Sequence, residues 1–393
     1  MKSEVRRAQT HSDHQPAGDA AATPSRRVGR HPEAPHPEAP HSEAPHPEAR
    51  RHDARHPASL RRRGTARELR VTLVLGALIL ALVLVSLCLG AFTLSVPDVF
   101  GALAGHGSRS ALFVVNEVRL PRASEALLVG VCLGLSGALF QSIVRNPLAS
   151  PDIIGITSSA SATGITAILV LGLSGFALSG VVLAGALVAA AAIYLLAWRN
   201  GVSGYRLVLV GIGIAALAAA LVSLQLTRSR ITDVQQALVW ITGSLNNASW
   251  AEVAVLAATM VLLVPATFVQ ARRLDVLRLG DDSAAALGVS LERTRLLLIV
   301  TAVALAAVAV SVVGPVGFVA LVSAPIARGL VGSGRLALLP AALLGAVVML
   351  AADLVAQFAV PGTSFPVGVV TGIVGAPYLL WLLTRTNRRG LGG

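Results

Sequence analysis

From residue 71 to near the end of the chain, runs of about twenty mostly apolar residues recur between short polar breaks. A run of that length, wound as a helix, crosses a hydrocarbon core of roughly 30 Å. Ten such runs are expected, at about 71–94, 122–143, 153–172, 177–198, 206–227, 250–270, 296–313, 316–331, 337–358 and 366–384, with ends uncertain by a few residues. Only 13% of the residues are charged and 54% are hydrophobic, against about 25% charged in soluble domains. The expected fold class is an all-α polytopic membrane protein with ten transmembrane helices and a disordered N-terminal tail.

The formal net charge of +12 is spread in a way that excludes a nucleic-acid surface. Residues 1–70 carry +5 and the remainder +7, and the latter sits in short loops between spans. With ten spans, loops on the side of the N-terminus hold thirteen arginines, among them Arg145, Arg199, Arg206, Arg272, Arg273, Arg278, Arg293, Arg295, Arg328 and Arg335. The opposite loops hold Arg109, Arg119, Arg122, Arg228 and Arg230. That asymmetry is the positive-inside pattern, so both termini are expected in the cytoplasm and the chain in the cytoplasmic (inner or plasma) membrane. Trp198, Trp240, Trp250 and Trp381 fall near span ends, as interfacial anchors do. Small-residue faces such as Gly130/Gly134 and Gly211/Gly213 are expected to let helices approach closely.

Residues 1–68 form a separate expected unit, with 69–393 as the membrane domain. The tail repeats HPEAP, HPEAP, HSEAP and HPEAR from His31 to Arg50. Proline at that density opposes helix and sheet, so an extended cytoplasmic spacer is expected. Eight of the nine histidines lie there, in a flexible setting that offers metal no fixed geometry. Cys88 and Cys132 lie inside apolar spans and read as small core residues.

The chain has no GxxxxGK[ST] nucleotide loop, HExxH or CxxC, and no acid or histidine is expected mid-span; Glu125, Glu252 and Asp353 lie near span ends. A membrane pathway without ion-coupling groups at its midplane or a nucleotide site draws its energy elsewhere. No catalytic residue, resident metal or cofactor is expected. The loop from Leu274 to Gly288 has the pattern of a short cytoplasmic helix: Asp281, Asp282 or Ser283 can cap its start, and Gly288 can end it in the left-handed conformation. Exposed Ala and Leu on such a helix offer a docking face for a partner.

Several separated motifs resemble the permeases of ABC importers for ferric siderophores, haem and cobalamin. They include Arg119-Leu-Pro-Arg122, Arg145-Asn-Pro-Leu-Ala-Ser-Pro151, Leu209-Val-Gly-Ile-Gly-Ile-Ala215, Trp240-Ile-Thr-Gly-Ser244, the loop Leu279–Gly288, Val313-Gly-Pro-Val-Gly317, Ile326-Ala-Arg328 and Phe365-Pro-Val-Gly368. The resemblance covers essentially residues 71–393. It implies a transport subunit and not an enzyme, paired with a second permease subunit (a heterodimer favoured over a homodimer). Two ATP-binding subunits would bind ATP and Mg, and an external binding protein would deliver an iron-chelate-type substrate, ferric siderophore ahead of haem or cobalamin. It further implies that Gly280, Asp281, Asp282, Ala284, Leu287 and Gly288 couple to the ATPase. Arg119 and Arg122 would dock the binding protein. Asn146 and Leu148, with the loop Asn200-Gly201-Val202-Ser203, would close the pathway at the cytoplasmic side. Pro325, Gln357 and Ser364 depart from the family pattern, which alters the expected docking surface. The alternative is an ion-coupled secondary transporter acting without an ATPase.

Overall fold

The computed structural model describes residues 57–90, 92–199, 203–332, 334–360 and 362–390. Its elements are all helical: α1 (Pro57–Cys88), α2 (Val96–Leu103), α3 (Arg109–Phe113), α4 (Leu120–Val144), α5 (Ile156–Leu169), α6 (Gly175–Ala197) and α7 (Gly204–Arg228). There follow α8 (Ile231–Ile241), α9 (Trp250–Leu277), α10 (Asp281–Ala286), α11 (Leu291–Val313), α12 (Val319–Val331), α13 (Leu338–Phe358) and α14 (Val367–Gly390).

Among the described residues seven helical stretches are long and apolar enough to cross a membrane, and three shorter apolar helices, α5, α12 and Val367–Leu382, occupy the other expected spans. The chain is thus a multi-pass, all-helical membrane protein. With 14 and 13 residues, α5 and α12 reach only about 20 Å. Each follows a non-helical stretch, 145–155 and 314–318, whose backbone is tolerated at such depth only where protein surrounds it.

Two boundaries and one additional helix differ from expectation. Backbone helix begins at Pro57, so the expected division at residue 68 lies inside α1; the repeat tail lies outside the described residues. The second span starts well before residue 122, because α3 runs through a widened π turn, Val114–Arg119, into α4. Pro121 has no N–H for the Glu117 carbonyl, and the wider turn absorbs that loss. Helix α8 was not anticipated. Its half-buried Trp240 packs its ring against Gly164 of α5, where a Cβ would collide with the indole.

Helix α4 is the centre of the bundle and packs against α13, α11, α12 and α9. Its residues from Val129 to Ser142 are buried with one exception, Val131, so no amphipathic face is possible or needed. Glycine makes the approach to α13 possible. A Cβ on Gly130 would lie 2.5 Å from the Gly345 carbonyl oxygen, and one on Gly134 would strike the Ala341 carbonyl. The two backbones therefore touch, and the closeness rests on dispersion between small residues.

Gly134→Ala is expected to destabilise the purified protein by roughly 1–3 kcal/mol, because the added methyl meets backbone that cannot step aside. Gly76→Ala in α1, with nothing within 4 Å of its Cβ position, serves as the control and should be neutral or gain up to about 1 kcal/mol. Thermal unfolding in detergent checks the pair; equal midpoints would refute the close-contact account.

Candidate functional site

The chain gathers its polar chemistry at the two ends of α4. One end carries α10. Pro325 sits inside α12 and cannot donate to the Leu321 carbonyl. Gln141, near the end of α4, supplies that bond through Nε2 at 3.0 Å, and its Oε1 accepts from Arg328. This accounts for the proline: the carbonyl it leaves free is satisfied from a neighbouring helix.

One residue after α4, Arg145 adopts a left-handed backbone (φ 56°), a costly conformation for a residue that carries a Cβ. It ends the helix and turns the chain into 146–155. Its Nη2 donates to the Leu277 carbonyl (2.6 Å) and to Asp281 Oδ1 (2.9 Å). From α11, Arg295 Nη2 lies 2.8 Å from both Asp281 oxygens. Asp281 therefore joins three segments: the end of α4, the start of α11 and α10 itself.

The short helix α10 is as the sequence expects at its C-terminus, where Gly288 has φ 78°, but not at its start. Gly280 is the N-cap, and Asp281 and Asp282 occupy the first turn, where the helix dipole favours them. Ala284 is fully buried, so it seats the helix and is not part of an exposed face. The outward face is Asp282, Ser283, Ala285, Ala286 and Leu287, with Leu279 beside it; the two leucines are 64% and 67% exposed, high for large apolar side chains.

Asn146 and Leu148 follow Arg145. The Asn146 Oδ1 accepts from the Leu148 amide at 2.9 Å, a side-chain turn that fixes the loop. Asn146 also lines a cavity of about 340 Å³ together with Gln141, Arg145, Arg278 and Arg328. Of the second expected gate loop, Asn200, Gly201 and Val202 lie outside the described residues. Ser203 caps α7, accepting from the Arg206 amide, and the adjoining Gly204 touches Val144, so α7 starts beside the end of α4.

Sequence reasoning missed Asp152. It lies in the connection to α5, just before the expected third span, and accepts from Thr157 (2.7 Å) and from the Phe318 amide at the head of α12 (3.3 Å). Its amide partner is 166 positions away, which no local pattern reveals.

At the opposite end the two arginines of the Arg-Leu-Pro-Arg motif have different surroundings. Arg119 is 8% exposed, under the surface and not free upon it. It donates to the carbonyls of Leu87 (2.6 Å), Cys88 (3.1 Å) and Phe92 (2.7 Å), closing the end of α1, where the helix leaves carbonyls unpaired. Arg122 holds buried Asp353 at 2.8 Å and Asn246 at 3.0 Å. Gln357, one of the departures, donates to the same Asp353 at 2.7 Å. The carboxylate thus has one full and one partial counter-donor in place of a second charge. Ser364 is exposed.

A FecCD transport family model matches residues 78–385. The chain belongs to that family. It is 43% identical over 321 residues to the ferric enterobactin transport system permease protein FepG of Escherichia coli (strain K12), a match that covers 79% of this chain and 97% of that protein. It is 35% identical over 329 residues to the vitamin B12 import system permease protein BtuC of Citrobacter koseri, covering 82% and 96%. A solved ABC transporter assigned to the metal-chelate type, in an inward-facing conformation, superposes with a TM-score of 0.73 at 31% identity over 80% of this chain and 99% of that one. The FecCD chain is the permease subunit of an ABC importer, and ATP is hydrolysed by a separate subunit.

The acid node makes α10 sensitive to pH. Partial burial pushes the Asp281 carboxyl upward, but hydrogen bonds and charge from Arg295 and Arg145 outweigh it and hold the group below its ordinary value of 3.8. Its contribution to seating α10 is therefore complete above that value and is lost as pH falls through the lowered one. Hydrogen exchange at the Leu287 and Gly288 amides should accelerate on acidification, after correction for intrinsic rates. In Asp281→Asn it should be faster at neutral pH and lack this acid step. An identical pH response in both proteins would remove Asp281 from the account.

Proposed function

We propose that this chain is the translocation subunit of an ATP-driven importer that carries an intact iron chelate, a ferric siderophore in first place with haem and cobalamin as chelates of the same kind, across the cytoplasmic membrane. Ten crossings, seven long and three short, leave both termini in the cytoplasm; α1 begins and α14 ends at the α10 end. A second permease subunit, a heterodimeric partner ahead of a copy of this chain, completes the pathway. Two ATP-binding subunits, which hold ATP and Mg, dock at α10. An external binding protein docks at the opposite end, around Arg122.

The observation that carries this reading is the Arg145–Asp281–Arg295 node. The outward face of α10, with Leu287 and Leu279, gives a partner an apolar grip. Displacement of α10 reaches Arg145 without an intermediary, and Arg145 begins the loop that holds Asn146 and Leu148. Gly280 and Gly288 supply the turns that enter and leave α10, and Asp281 and Ala284 face inward, so a load on Asp282 and Leu287 is passed to the membrane helices. The three short hydrogen bonds of Arg119 make it the cap of α1, which fixes the frame on which Arg122 is presented. Ser203 stands beside the end of α4 and, with Asn200, Gly201 and Val202, which lie outside the described residues, is assigned to the second half of the cytoplasmic constriction.

Uptake of radiolabelled ferric chelates into vesicles is the test, with the permease pair, its ATPase and its binding protein reconstituted together. ATP-dependent accumulation is expected. Leu287→Asp should abolish binding-protein-stimulated ATP hydrolysis and uptake together, whereas Asp281→Asn should leave hydrolysis substantially intact and reduce uptake by about tenfold or more, through loss of a coupling worth about 1.4 kcal/mol or above. Uptake that persists without the ATPase would overturn the reading in favour of a secondary transporter.

A further inference from the structure

At the end opposite α10 a cavity of about 500 Å³ opens between α4, α6, α8, α9 and the end of α11. Its lining includes Glu125, Glu252, Gln236, Asn246, Asn247 and Trp240, and among the described residues no arginine or lysine. Glu125 is 1% exposed, and its Oε2 lacks any hydrogen-bond partner. Glu252 accepts from Ser249 at the cap of α9. Two carboxyl groups thus face one polar chamber, and the one cation at its edge among the described residues, Arg122, is held by Asp353 and Asn246. A buried carboxylate oxygen without a partner is costly, and a bound cation removes that cost.

The chemistry of the chamber selects among cations. No cluster of three or more metal-ligating side chains exists among the described residues, so a bare metal ion has no cage. The volume falls within the roughly 300–1,000 Å³ typical of small-molecule sites. Trp240 is an aromatic member of the lining, of a kind that attracts an ammonium group, and the three side-chain amides can serve carbonyl or hydroxyl groups around it.

We propose that this chamber is a binding site for an organic cation, and that it favours iron chelates bearing a free primary ammonium group over neutral or anionic chelates. This rests on the importer reading and narrows its substrate class. The ammonium group pairs with Glu125, Glu252 holds the mouth, and no covalent change occurs. An anionic chelate meets like charge at the same place.

The test uses a ferric trishydroxamate with a terminal primary amine and its N-acetylated neutral counterpart. Equilibrium binding is measured on the permease–ATPase complex in nanodiscs, without binding protein, and uptake ratios are measured in the full reconstituted system. The amine form is expected to bind about tenfold or more tightly than the acetylated form. Glu125→Gln, which preserves shape, should bring that ratio toward one, and Glu252→Gln should lower it in part. Using one binding protein throughout, the change in uptake ratio between native and variant complexes reports on the permease alone. Equal binding of the two chelates by the native complex, an unchanged ratio in both variants, or equal competition by potassium or ferric ion alone would each overturn the proposal. Binding that favours the amine with no ATP-driven uptake of either chelate would sink the importer reading while leaving the cation site standing.

Discussion

The contact between α4 and α13 sets the terms for the rest of the molecule. Where Gly130 and Gly134 meet Ala341 and Gly345, backbone lies on backbone with no side chain between. In an apolar solvent little is gained by burying one more methyl group, so small residues and close dispersion contacts hold the helices instead. That geometry makes α4 a fixed strut. Both of its ends are consequently fixed in space, with Arg122 and Glu125 at one and Gln141 and Arg145 at the other.

A second constraint follows from the absence of water. Each interruption of a helix frees backbone groups that must be met from elsewhere, and the chain meets them with single polar side chains carried by distant segments. Gln141 serves the carbonyl that Pro325 leaves open; Arg119 serves the end of α1; Asp152 takes the amide of Phe318, the N-cap of α12. These side chains are therefore also connections. Through them the short helix α12 is tied to α4 at one point and to the 145–155 loop at another.

Much of this was legible in the sequence, and the reason is physical. Spans are read from length and hydrophobicity, properties of a contiguous segment, so the seven long apolar helices and the three shorter ones fall at nearly the expected places. The turn at Gly288 was also readable, because its left-handed backbone is a local demand. What could not be read were pairings across the chain. Arg145 and Asp281 stand 136 positions apart, and Arg122 and Asp353 are 231 apart. The motif places Arg119 and Arg122 together as though they were alike, yet one is a buried helix cap and the other holds a buried acid. The π turn ends at Arg119 and Pro121 lies between the two, which gives them different directions, and composition carries no trace of that. Pro325 did hold a signal: a proline inside a short apolar helix requires a donor from outside, and Gln141 was the amide available.

The same geometry limits how the subunit can change state. The carbonyls of α13 sit in the grooves left by Gly130 and Gly134, so α4 cannot slide along α13 without forcing backbone into backbone. It can tilt only with α13 as one body. The parts free to move independently are those held by side chains: α10 through Asp281, the 145–155 loop through Arg145 and Asp152, and α12 through Gln141. All three meet near the α10 end of α4. Small shifts of α10 are thereby concentrated on a loop whose Arg145 already occupies an unfavourable backbone conformation, and such a residue exchanges between arrangements at lower cost than one resting in a deep minimum. The strut keeps the opposite end, with its acidic chamber, in register while the loop changes. A rigid axis and a hinged end are the division that alternating access needs.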